Sequence, residues 1–207
     1  TYTAYSGSKI RQQLLETRDF RSFVSTPMVG IAAANKGLAL FPRRIGGRFA
    51  ALSRSDRESN SIAYSDRPFV WTSAVPCQQP VEAWEALQLG NCGSPIETEA
   101  GWLVLTHGVG PMRTYRIGAI LLDLDDPTTI IGRLRKPLLS PADDEQNGYV
   151  PNVVYSCGAL VHADTLVLPY GIGDAAIGLA AVSLPLLLDA LVSWPIFGPV
   201  DNWLWPV

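Results

Sequence analysis

Leu103-Val104-Leu105-Thr106-His107-Gly108 is an apolar, β-prone run closed by a polar residue and a glycine. A second apolar run, Ile117-Gly118-Ala119-Ile120-Leu121-Leu122, follows after a polar loop, and the two together read as a β-hairpin. The layout recurs in both directions. Upstream, Tyr2-Thr3-Ala4-Tyr5-Ser6-Gly7 precedes residues 12–15, and Phe49-Ala50-Ala51-Leu52-Ser53-Arg54 precedes residues 61–64. Downstream, Leu166-Val167-Leu168-Pro169-Tyr170-Gly171 precedes residues 177–182. Acidic turns close three of the four units, at Asp19, at Asp66, and at Asp123 with Asp125 and Asp126.

The unit returns about every 45 to 65 residues, the spacing of propeller blades. Gly46-Gly47, Gly101-Trp102 and Ala163-Asp164 stand before three of the first strands, as turn chemistry asks. A blade cannot bury both of its faces alone, so such units stack around an axis. The expectation is an all-β propeller of which this chain covers about four blades. A β-sandwich is the competing architecture, but its strands recur at shorter spacing. Residues 184–191 alone carry a helical period, and residues 76–91 are the least strand-like, which suggests an excursion between blades. The propeller is expected over residues 1–192. Residues 193–207, with Trp194, Trp203 and Trp205 among prolines, form a separate Trp/Pro-rich tail suited either to covering a blade edge or to no chemical role.

Composition narrows the function classes. Apolar residues make up 47% and charged residues 17%, so a packed core is expected rather than disorder. A formal charge of -3 gives no basic face for nucleic acid, and no apolar run reaches the length of a membrane span. Three scattered cysteines and two histidines supply neither a disulfide framework nor a zinc site, so no metal is expected.

The motifs Leu89-Gly90-Asn91-Cys92-Gly93-Ser94-Pro95-Ile96, Gly101-Trp102-Leu103, Thr106-His107-Gly108-Val109 and Tyr115-Arg116-Ile117-Gly118-Ala119 resemble glycoside hydrolase family 130. So do Asp126-Pro127, Val150-Pro151-Asn152-Val153-Val154 with Cys157-Gly158, Tyr170-Gly171 with Asp174, and Asn35-Lys36 ahead of Phe41-Pro42. The resemblance runs from Thr1 to about Leu191. It implies a five-bladed β-propeller and inverting phosphorolysis, or hydrolysis, of β-mannosides. In that chemistry one Asp supplies the proton and phosphate or water attacks from the opposite face. The family carries that Asp in a Glu-Asp-Pro-Arg-like motif that is not in this sequence, so the acid is expected upstream of Thr1. The alternative is a non-catalytic carbohydrate-binding propeller or a truncated remnant. Inorganic phosphate is the implied co-substrate, a small oligosaccharide the implied partner, and no other cofactor is expected. The location implied is cytoplasmic, and self-association is left open.

Arg54 and His107 sit at equivalent places in neighbouring repeats, so radial stacking aims both at one channel. By resemblance His107 contacts phosphate, while Arg54 offers a guanidinium fork for it. The family reads His-Arg-Pro where this chain has Ser53-Arg54-Ser55. Asn35, Tyr115 and Arg116 complete the expected phosphate set. Asn152, Asp174 and Tyr5 are the expected sugar contacts, through amide, carboxylate and ring. Each has a plainer reading: a loop Asn at Asn35, a solvent-facing strand arginine at Arg116, a turn residue at Asp174, a core aromatic at Tyr5, Trp102 or Tyr170. Asp56 and Asp66 also lie at loop ends, without a motif for acid catalysis.

Overall fold

The computed structural model describes residues 1–193 as four antiparallel β-sheets in chain order. The first sheet is β1 (Tyr2–Tyr5), β2 (Ile10–Thr17) and β3 (Phe23–Met28). The second is β4 (Ala39–Leu40), β5 (Phe49–Ser53), β6 (Asn60–Ser65) and β7 (Ala74–Gln78), hydrogen-bonded in that order. In the third, β10 (Gly101–Val109) pairs along one edge with β8 (Gln88–Asn91) and β9 (Ile96–Thr98). Its other edge carries β11 (Tyr115–Leu122), followed by β12 (Ile130–Arg133). The fourth repeats the plan: β13 (Val154–Tyr155) and β14 (Leu160–His162) line one edge of β15 (Thr165–Ile172), and β16 (Ala176–Ser183) lines the other. This is the four-blade arrangement the repeats predict. The four predicted hairpins are β1–β2, β5–β6, β10–β11 and β15–β16.

Period-2 alternation explains the stacking, because successive side chains leave a strand on opposite faces. Trp102 and Val104 of β10, with Ile120 and Leu122 of β11, pack against Leu52 and Ile62 of the second blade. Their neighbours Leu103, Leu105, Ile117, Ala119 and Leu121 pack the other way, against Val154, Leu166 and Leu168 of the fourth. A third core, including Met28, Ala51, Ala63 and Trp71, joins the first blade to the second. The third blade is therefore apolar on both faces. The turns hold to their chemistry: Gly46 and Gly47 take φ of 55° and 80°, and Ala163 and Asp164 take 45° and 60°. Asp19 and Asp123 each accept two backbone N–H bonds in the turn that follows their strand.

One expectation needs correction. Residues 76–91 are not an excursion: they hold the end of β7 and all of β8, with one short helical turn, Ala83–Glu85, between. Pro76 lies in the edge strand β7, where a missing N–H is tolerated, and it masks the strand in the sequence. The short strands β4, β8 and β13, two to four residues each, lie along one edge of the second, third and fourth blades.

The predicted helix is present as α1 (Leu184–Val192), with Pro185 in its first turn and Leu187 and Leu191 buried against the third and fourth blades. No helix among the described residues is long and apolar enough to cross a membrane. The Trp/Pro-rich stretch from Trp194 onward lies outside the described residues.

Candidate functional site

A cavity of about 390 Å³ opens where the four blades meet at the β8 and β13 edges. The first blade contributes Ile10, and the connection to the second contributes Asn35 and Lys36. Arg54 and Arg57 enter from the loop after β5, Gln88 from β8, His107 from β10, Tyr115 from β11 and Tyr155 from β13. Arg54 and His107 thus meet in one pocket. Among the lining residues three are cationic and none is a carboxylate.

Arg54 is 8% exposed and runs along β8. It fits because Gly90 and Gly37 stand beside it. A Cβ on Gly90 would lie 2.3 Å from Arg54 Nε, and one on Gly37 2.9 Å from its Cδ. Its Nη2 donates to the Arg57 carbonyl at 2.9 Å, while Nε has no partner. An unmet donor on a buried cation is costly. Burial lowers the Arg54 pKa from its ordinary value, against the opposing pull of Tyr155 and Tyr115. The guanidinium remains charged.

His107 is 1% exposed, its ring stacked 6.1 Å from Tyr115 and tilted 4.9 Å from Tyr155. Burial, then the Arg54 cation, pushes its pKa down to about 3, with a hydrogen bond to the Asn91 backbone acting the other way. At neutral pH it is a neutral imidazole, able to donate one N–H to an anion but not to carry charge. The Cys92 sulfur lies 3.9 Å from its Nδ1, and burial pushes that thiol up to about 12, so it stays protonated. Burial likewise raises the Tyr155 phenol, which keeps its proton.

The other predicted residues divide. Asn35 lines the cavity, but its amide serves the wall: Nδ2 donates to Ser55 O at 2.5 Å, and Oδ1 accepts from Arg57 Nε at 3.1 Å. Tyr115 faces the cavity, whereas Arg116, opposite Gly108 in the register, falls on the other face of the hairpin. Gly108 does allow a close approach, by Trp84 rather than by a ligand: a Cβ there would lie 2.5 Å from the indole. Asn152 and Asp174 are not among the lining residues and take left-handed turn conformations, φ 61° and 54°, with the Asn152 carbonyl accepting from the Tyr115 N–H at 2.9 Å. Tyr5 is 71% exposed, its hydroxyl donating to Gly7 O at 2.7 Å. Trp102 is core, and Tyr170 packs beside the core with its hydroxyl on Glu145. Lys36, Arg57, Gln88 and Tyr155 are lining residues that were not singled out from sequence. Lys36 stood inside a quoted motif; Arg57 was hidden in a charged loop that reads as solvated.

A wider groove of about 960 Å³ runs beside α1, walled mainly by Leu134, Pro137, Leu138 and Leu187. Converging polar groups mark the smaller cavity as the chemical one.

Blades closing on a cavity lined by three cations and no carboxylate define a β-propeller with a cationic pocket where the blades meet. The chain belongs to glycoside hydrolase family 130: the family model described as beta-1,4-mannooligosaccharide phosphorylase matches residues 1–192. It is 40% identical over 72% of its length to a 1,2-beta-oligomannan phosphorylase of Thermoanaerobacter sp. (strain X514), of which it covers 51%. It is 32% identical over 92% of its length to a beta-1,2-mannobiose phosphorylase of Listeria innocua, covering 55% of that protein. The solved structure of a Listeria innocua beta-1,2-mannobiose phosphorylase with beta-1,2-mannobiose superposes with a TM-score of 0.82 at 30% identity, over 93% of this chain and 56% of the other. The chain thus spans about half the length of the curated relatives it matches.

Proposed function

We propose that this chain forms the phosphate-holding side of an inverting phosphorylase of β-mannosides. The observation that carries the reading is the convergence of Arg54, Lys36, Arg57 and the neutral His107 on one cavity with no carboxylate in its lining. A phosphate oxygen attacks the anomeric carbon as the bond to the leaving sugar oxygen breaks, giving a mannosyl phosphate of inverted configuration. Phosphate arrives anionic, so no base is required. The cations hold it and offset its charge, while His107 and the tyrosines donate neutral hydrogen bonds.

The leaving oxygen still needs a proton, ordinarily from a carboxylic acid. No Asp or Glu lines the cavity among the described residues. The reading therefore assigns the proton donor to an Asp outside these residues, upstream in the polypeptide. The same observation favours a second reading, a propeller that binds mannoside or phosphate without turning it over.

Two measurements separate them. Calorimetry of this chain with inorganic phosphate should show binding that Arg54→Ala weakens at least about tenfold, the scale of a lost charge-assisted bond. Indifference to phosphate would sink the site assignment. Phosphate consumption with β-1,2- and β-1,4-mannobiose is then followed for this chain and for a polypeptide extended upstream. Turnover only in the longer form supports the phosphorylase; binding without turnover in both supports the second reading.

A further inference from the structure

Arg57 stands in the left-handed region of the backbone, φ 73°, where side chains other than glycine and asparagine are disfavoured. Glycine or asparagine would take this shape without strain. Three bonds tie Arg57 into the pocket wall. Its N–H donates to Arg54 O at 3.0 Å, its carbonyl accepts from Arg54 Nη2 at 2.9 Å, and its Nε donates to Asn35 Oδ1 at 3.1 Å. The Asn35 amide returns to the same loop through Ser55 O. Asp56 fastens the far side by accepting from the N–H groups of Glu58 and Ser59. Backbone and side chain of Arg57 therefore do separate things: one grips the Arg54 guanidinium, the other brings a further cation to the cavity beside Lys36.

We propose that Arg57 is a specificity-determining residue for the anion, setting phosphate affinity by adding its charge to the pocket and by seating Arg54. The inference rests on reading the cavity as a phosphate site.

The test is thermal unfolding and phosphate calorimetry of Arg57→Gly, Arg57→Asn and Arg57→Lys beside the unaltered chain. Glycine and asparagine both accept a positive φ, so neither variant is strained. Arg57→Gly and Arg57→Asn should melt at or above the original temperature, yet bind phosphate about five- to tenfold more weakly with a shallower dependence on salt. Arg57→Lys should recover part of the affinity. Unchanged affinity in the glycine and asparagine variants overturns the proposal while leaving the Arg54 site standing. Affinity that falls only in step with melting temperature overturns it too, by showing a merely structural role. Failure of the unaltered chain to bind phosphate removes both this inference and the function it rests on.

Discussion

At the scale of single residues, burial shapes Arg54 and His107 as much as charge does. His107 has been driven neutral by burial and by Arg54, so its folded pKa of about 3 lies below the ordinary 6.5. The unfolded chain binds a proton between those values and the folded chain does not, so stability falls as pH drops from about 6.5 toward 3 and is fully present above that window. His107→Asn removes this proton linkage. Urea denaturation at pH 7 and pH 4.5 should show the unaltered chain losing on the order of 2 kcal/mol more than the variant over that interval. Parallel losses would show that the imidazole is not buried as described. The sequence pointed to Arg54 and His107 because both end runs in equivalent repeats. It could not show that Asn152 and Asp174 are spent on left-handed turns, since Asn and Asp suit both sugar hydroxyls and positive φ. Alternation puts Tyr115 and Arg116 on opposite faces, but which of the two meets the cavity depends on how the hairpin is set in the molecule.

Among elements, long strands were legible and short ones were not. β10 and β11 run nine and eight residues, enough for alternation to appear on both faces. β4 and β13 have two residues each and show no period, yet Tyr155 of β13 reaches the cavity. The segment before β8 was misread for a related reason: its stability comes from tertiary contacts. Glu85 is buried, accepts the N–H groups of Val81 and Glu82, and pairs with Arg133 of β12. Trp84 lies across Gly108, Gly110 and Gly118, with its Nε1 donating to Arg135 O at 2.9 Å. No side chain larger than hydrogen fits beneath the indole at Gly108 or Gly118 without displacing it. Trp84→Ala should cost about 2–3 kcal/mol, below the range for a fully buried tryptophan because this residue is only partly buried. The melting temperature should drop by about 5–10 °C, with Trp84→Phe retaining most of it. A change of less than about 2 °C would mean the hairpin does not lean on the indole.

For the whole molecule, the consequence of radial stacking is that a blade has two faces and each wants a neighbour. The third blade has one on both sides. Among the described residues the fourth does not: Leu166 and Leu168 turn toward the third blade, while Leu160, Ile177 and Leu179 on its other face are 65%, 91% and 72% exposed. The register places Ile177 opposite Gly171 and Leu179 opposite Pro169, so the exposed side chains form one apolar surface with Val167. Such a surface drives association when nothing else covers it. The first blade is more mixed on its far face, with Arg11 and Gln13 interleaved among Tyr2 and Leu15. Self-association of this chain on its own is therefore expected to run through the fourth blade. Replacing Ile177 and Leu179 together by lysine should leave the melting temperature of this chain nearly unchanged, because neither side chain is buried, and should hold it monomeric as concentration rises. Sedimentation velocity across a concentration series reads this directly: the unaltered chain should shift to heavier species while the double variant does not. Identical profiles for the two would mean that the exposed face of the fourth blade plays no part in association.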